Sequence, residues 1–130
     1  MIAKELDHIV IRVKDLEEGI STFRDKLGME LSRTGESEAL GIKQAFFNMK
    51  NGGFIEVVAP LGPETPVGKA VESRGEGIHT VSIAVEDLAG TIKQLEANGV
   101  TVVGADMERG MAFVHPKSAH GLMLQLIDRS

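Results

Sequence analysis

The chain has 130 residues, 42% apolar and 25% charged, which suits one soluble globular domain with its own hydrophobic core. Its net charge of −5 argues against nucleic acid and anionic membrane as partners, since both select a basic face. With no cysteine it has no disulfide, thiolate nucleophile or thiolate metal site. With no Trp, no Tyr and five Phe it has no wide aromatic stacking platform.

No stretch approaches the ~20 apolar residues of a membrane span. The opening MIAKELDHIV runs straight into a strand pattern and lacks the basic-then-apolar order of a signal peptide. The expected compartment is the cytoplasm.

Alternation predicts a first strand near 6–13. Asp15 is a good N-cap, and Glu18 three residues later completes a capping box. Leu16, Ile20, Phe23 and Leu27 recur at helical spacing, and Gly28 suits the left-handed position after the helix. Strands follow near 30–34, 42–49 and 53–59, with Gly52-Gly53 as a turn between the last two. The Gly- and Pro-rich stretch Pro60 to Gly77 reads as a linker, with room for a short helix over Val67 to Ser73. A strand near 77–85 leads to a second helix, capped by Asp87, built on Leu88, Ile92 and Leu95 and ended by Asn98-Gly99. Strands near 101–105, 110–115 and 121–127 complete the chain.

The chain contains a repeat. Val13-Lys14-Asp15-Leu16 returns as Val85-Glu86-Asp87-Leu88, 72 residues on. Each half reads β-α-β-β-β. The period is too long for a solenoid and suits a duplicated supersecondary module.

Side chains alternate across a strand, so each strand has two faces. Ile9, Ile11 and Val13 are expected under the helices, with His8 and Val10 opposite. Likewise Ile55 and Val57 face the helices, while Phe54, Glu56 and Val58 face away. Thr80, Ser82 and Ala84 share the far face of the fifth strand, Met123, Gln125 and Ile127 that of the last, and Gln44, Phe46 and Asn48 share a face of the third. The repeat matches His8 with Thr80, and strand pattern matches Glu56 with Gln125. If the halves combine their sheets, these four meet in one hollow. Taken singly, each has a plain structural use. Converging, polar groups amid apolar neighbours need a ligand or a metal to satisfy them.

The segments LDHIVIRVKDLEEGI, IEVVAPLGPETPVGKAVESRGEGIH, VEDLAGTIKQLEANGV and FVHPKSAHG resemble the vicinal-oxygen-chelate superfamily, and within it the methylmalonyl-CoA epimerases. The resemblance implies an α+β fold in a single domain over 1–130. Two tandem βαβββ modules (about 5–60 and 77–128, joined by a linker over about 61–76) would form a curled mixed-sheet cup with helices outside. It implies a divalent metal held by His8, Glu56 and Gln125, and no organic cofactor. The third ligand position, in Gly77-Ile78-His79-Thr80, holds Thr80 where the family has a second His, and His79 falls on the helix-facing side. The fourth ligand, a Glu in the family, is Gln125. The family's acid/base residue in the third strand aligns with Gln44.

Removing a proton α to a thioester carbonyl needs a base, and a glutamine amide is not one near neutral pH. With one carboxylate left, metal binding is expected to be weak or absent. The loop between Val100 and His115 is shorter than the family's. Gln44, Phe46, Thr80, Ser82 and Lys117 are the substrate-binding residues this reading implies. The expected function is a diverged epimerase-like protein that acts on, or binds, a CoA thioester or small oxyacid. The alternative is a non-catalytic binding protein of the same fold. Glyoxalase-type lyase or dioxygenase chemistry would need the metal set that is incomplete here. Relatives commonly pair, so a homodimer is implied.

Overall fold

The computed structural model describes residues 2–130. The element order is β1 (Glu5–Arg12), α1 (Leu16–Ile20), β2 (Leu31–Ser37), β3 (Ile42–Asn48), β4 (Phe54–Pro60), α2 (Pro66–Arg74), β5 (Gly77–Val85), α3 (Leu88–Ala97), β6 (Val102–Asp106), β7 (Met111–Val114) and β8 (Leu124–Asp128). The fold is α+β with parallel and antiparallel pairing, and β-α-β-β-β occurs twice, before and after α2. The chain divides into two compact units, one of residues 9–79 and one of residues up to His8 with 80–130.

In the unit of residues 9–79 the strand order is β2-β3-β4-β1, with β3 antiparallel to both β2 and β4. One face carries α1. Leu16 and Ile20 pack on Ala45, Phe47, Val57 and Ala59, as strand alternation predicts. The other face packs Val10, Ile42 and Val58 against Val67 of α2. The short helix expected at Val67 to Ser73 thus exists and covers part of the face opposite α1. It begins with Thr65 accepting from the Gly68 N–H at 3.0 Å and with Pro66 in its first turn. Gly68 is required there, because a Cβ would lie 2.3 Å from the Gly62 carbonyl oxygen.

Two local expectations fail in α1. The Asp15 side chain makes no capping hydrogen bond, so the capping box does not form. After Ile20 the helix loosens into π-helical turns over Ser21–Lys26, with Leu27 N–H bonded to the Thr22 carbonyl five residues back. The longer turn rotates the apolar stripe. Phe23 stays against the core, but Leu27 is left 61% exposed.

In the unit of residues up to His8 with 80–130 the strand order is β5-β8-β7-β6. β5 and β8 are parallel, while β7 is antiparallel to β6 and β8. Its core joins Val85, Leu88, Ala112, Val114 and Leu126, with Ile92 and Leu95 of α3 packed on it. Asp87 caps α3 by accepting from the Gly90 N–H at 3.0 Å, and Gly99 takes a left-handed φ of 84° to end it. The Lys4 N–H to Ala84 carbonyl bond, 2.8 Å, lays the N-terminal residues beside β5.

Candidate functional site

The parallel register of β5 and β8 puts Ser82 opposite Gln125. Ser82 is fully buried and donates its hydroxyl hydrogen to Gln125 Oε1. On its other side the Ser82 oxygen lies 3.2 Å from His8 Nε2. His8 Nδ1 sits 2.7 Å from the Asp7 carboxylate. Arg129 grips that carboxylate with two hydrogen bonds, from Nε at 2.9 Å and Nη2 at 3.0 Å. The result is a continuous polar chain, Arg129–Asp7–His8–Ser82–Gln125. Thr80 is buried on the same strand face as Ser82.

The electrostatics follow from the grip. Arg129, and after it His8, hold the Asp7 carboxyl below the usual carboxylate range, against the opposing effect of burial. Asp7 is therefore a carboxylate that accepts from the imidazole Nδ1–H. Gln125 completes the chain by directing its Nε2 at Met111 Sδ, 3.5 Å away.

These donors do not fit a divalent cation by themselves. Ser82 Oγ and Gln125 Oε1 are uncharged oxygens already bonded to each other. Hard cations need anionic oxygens to offset their desolvation. Among the described residues no group of three or more His, Cys, Asp or Glu could hold a metal ion.

The other predicted residues belong to the unit of residues 9–79. Gln44 and Glu56 are diagonal neighbours across β3 and β4, because Gln44 pairs with Val58 and Phe46 with Glu56. The Gln44 amide donates to Glu56 at 2.9 Å. Phe46 is buried on the same face, tilted against Phe54 at 5.9 Å between ring centroids. The Arg33 guanidinium lies 3.8 Å above the Phe46 ring. The expected set is thus divided: His8, Thr80, Ser82 and Gln125 belong to one unit, Gln44, Phe46 and Glu56 to the other. Lys117 is exposed on the turn Pro116–Ser118, where His115 Nδ1 accepts from its backbone N–H at 3.0 Å.

Sequence reasoning missed Asp7, Arg129 and Arg33. Asp7 precedes His8, and alternation assigns neighbours to opposite faces, so their bond was not expected. Arg129 lies beyond the last predicted strand, and only tertiary contact brings it to Asp7.

The glyoxalase-like domain family matches residues 6–125. The chain belongs to that family, within the vicinal-oxygen-chelate superfamily. The ethylmalonyl-CoA/methylmalonyl-CoA epimerase of Cereibacter sphaeroides is 29% identical over 128 residues, covering 93% of this chain and 95% of that protein. The methylmalonyl-CoA epimerase structure from Mycobacterium tuberculosis superposes with a TM-score of 0.88 and 30% identity, covering 99% of this chain and 90% of that one. A glutamate-to-glutamine variant of the Streptomyces coelicolor enzyme, in complex with 2-nitronate-propionyl-CoA, superposes with a TM-score of 0.85 and 27% identity. It covers 98% of this chain and 99% of its own. The sequence resemblance and the α+β glyoxalase-type fold expected from it are therefore met. No helix among the described residues is long and apolar enough to cross a membrane.

Proposed function

We propose that this glyoxalase-like chain binds a CoA thioester and labilises the proton next to its carbonyl, as a diverged relative of the epimerases. The observation that carries this reading is the likeness, over nearly the whole chain, to an epimerase holding a CoA thioester analogue. In this reading Gln44, Phe46, Thr80 and Ser82 are substrate-binding residues. Lys117, on an exposed turn, meets the polar part of the CoA. Homodimer formation belongs to the same reading.

The chemistry differs from two carboxylates exchanging a proton. Gln44 and Gln125 are amides, which donate and accept hydrogen bonds but take no proton near neutral pH. Gln44 holds Glu56 by its N–H, and Gln125 accepts from Ser82. Of the three ligands the family resemblance implies, His8, Glu56 and Gln125, Glu56 is the one carboxylate, which leaves a divalent cation poorly compensated.

A second reading is binding without turnover, favoured by the absence of a carboxylate at both Gln44 and Gln125. One experiment separates the two. Purified protein is titrated with methylmalonyl-CoA by calorimetry and then incubated with it in D2O, with the α-proton followed by NMR. Binding with exchange supports the enzyme, and binding without exchange supports the binding protein. No heat and no thermal shift at millimolar thioester would overturn both.

A further inference from the structure

We propose that Arg33, turned onto the Phe46 ring by a bulge in β2, is a specificity-determining residue that reads the free carboxylate of a malonyl-type thioester. This deepens the proposed thioester function and rests on it for the identity of the ligand.

The bulge decides which face Arg33 joins. Leu31 pairs with Phe47 and packs on the α1 core. In a regular ladder Arg33 would then oppose Ala45, a fully buried residue of that core. Instead the register slips by one between Leu31 and Arg33, and Arg33 pairs with Phe46. A slip of one residue sends the side chain to the other face of the sheet. Such a bulge gives up a ladder hydrogen bond, and its common use is to re-aim a side chain. The cation therefore joins the face opposite α1, which carries Gln44, Phe46 and Glu56. Helix α2 covers the Ile42 and Val58 end of that face. The row Arg33–Phe46–Glu56 lies farther along the strands.

The chemistry follows from that row. The Arg33 guanidinium lies 3.8 Å from the centroid of the Phe46 ring. A guanidinium held against a ring keeps its N–H edge for a further partner, and it loses little freedom when one arrives. Arg33 is exposed, and among the described residues its N–H groups have no hydrogen-bond or ion-pair partner. Two parallel N–H groups of the fork match the two oxygens of a carboxylate. At the other end of the row stands Glu56, which accepts from the Gln44 amide at 2.9 Å. A substrate carboxylate entering this face meets that negative charge, so it needs a cation of its own. Arg33, on the far side of Phe46, supplies it. The next row leaves space, because Gly35 pairs with Gln44 and a Cβ there would lie 3.2 Å from the Gln44 amide oxygen. In a malonyl-type thioester the carbon that bears the labile proton is bonded directly to the carboxylate. Pairing that carboxylate with Arg33 lays the carbon over the row, and it lowers the cost of a second negative charge on the adjacent enolate. The CoA phosphates are the other anion such a cation could take, and the test separates the two.

The test uses the full chain and two thioesters with the same CoA part: methylmalonyl-CoA, which has the extra carboxylate, and propionyl-CoA, which lacks it. By calorimetry the native protein should bind methylmalonyl-CoA about 10-fold or more tighter than propionyl-CoA. Arg33→Met keeps an apolar stem on the ring and loses the charge. It should weaken methylmalonyl-CoA binding by about 10- to 100-fold and propionyl-CoA binding by less than about 3-fold. Arg33→Lys should recover part of the loss, since it restores the charge without the planar fork. In protein labelled with nitrogen-15, the Arg33 Nε–H signal should move with methylmalonyl-CoA and stay in place with propionyl-CoA. Arg33 is exposed on an edge strand, and a native amide spectrum of each variant shows that the fold is kept. An equal loss for both thioesters would assign Arg33 to the CoA phosphates and overturn the proposal. Unchanged binding of both would leave Arg33 as packing on Phe46 and overturn it as well. A native protein that binds both thioesters equally keeps the proposed function and removes this role of Arg33. One that binds neither removes both.

Discussion

Arg12 ties the end of α2 to β1: its Nε donates to the Gly75 carbonyl at 2.8 Å, and its Nη1 to the Ile78 carbonyl at 2.7 Å. Gly75 follows the last residue of α2 at a left-handed φ of 79°, where its carbonyl turns toward the guanidinium. The cation is buried, at 6% exposure, and burial followed by repulsion from Arg74 pulls its pKa down. The Gly75 carbonyl at the negative end of α2 and the Ile78 carbonyl of β5 give the buried cation its two acceptors.

Arg12→Leu should therefore destabilise the protein by about 1–3 kcal/mol, since the Gly75 and Ile78 carbonyls lose their part-buried donor. Urea unfolding checks this. A midpoint equal to that of the native protein would show that the guanidinium is not what seats α2.

The π-helical slip after Ile20 makes a second contrast. Leu16 and Phe47 are buried in the α1 core, and Leu27, which belongs to the same heptad-like stripe in sequence, is 61% exposed. Phe47→Ala should cost about 3–5 kcal/mol, whereas Leu27→Ala should change stability by no more than about 0.5 kcal/mol. Chemical denaturation of the pair measures both. A large loss for Leu27→Ala would contradict the slip.

Acid should act in two steps. Burial first, then Arg12 and Arg74, holds the His79 imidazole below its ordinary 6.5. As pH falls through 6.5 the unfolded chain takes a proton that the folded one refuses, so stability drops until the folded value is passed. Asp7 is likewise held below its ordinary 3.8, by Arg129 first. Its contribution is fully present above 3.8 and is lost as pH falls through the folded value. Urea midpoints against pH should show both losses. His79→Leu should abolish the first, and should also raise neutral-pH stability by ~1 kcal/mol, because His79 Nδ1 is buried without a hydrogen-bond partner.

Gln44→Glu tests the third-strand position directly. The substitution replaces the N–H that Glu56 accepts at 2.9 Å with a second carboxylate. Two carboxylates at that distance share a proton, so one pKa of the pair should rise and neutral-pH stability should fall by about 1–3 kcal/mol. In the proposed chemistry the same change should increase α-proton exchange of methylmalonyl-CoA. Infrared titration of the carboxyl band reads the pair, and proton NMR reads the exchange.

The strands were legible because alternation is a local property of the chain. All eight appear within a few residues of their predicted places, from β1 at Glu5–Arg12 to β8 at Leu124–Asp128. The helix stops at Gly28 and Gly99 were legible for the same reason, since only a glycine takes their left-handed φ, 72° and 84°, without strain. The Asp15 cap and the burial of Leu27 were misread because propensity does not register where a helix changes its pitch.

The site was legible in part. Alternation put Ser82 and Gln125 on matching faces, and parallel pairing of β5 with β8 then made them direct partners. Gln44 and Glu56 shared a face in sequence, and the β3–β4 register brought them into contact.

By itself the sequence determined the duplicated β-α-β-β-β order, the polar positions on each strand and the amides at 44 and 125, since each depends on residue type and short-range spacing. Only the tertiary structure decided that Arg129, 122 residues from Asp7, clamps its carboxylate, and that this carboxylate bonds the neighbouring His8 ring. Such contacts follow from strand register and from the cost of leaving a buried charge unpaired, and neither quantity is written in local spacing.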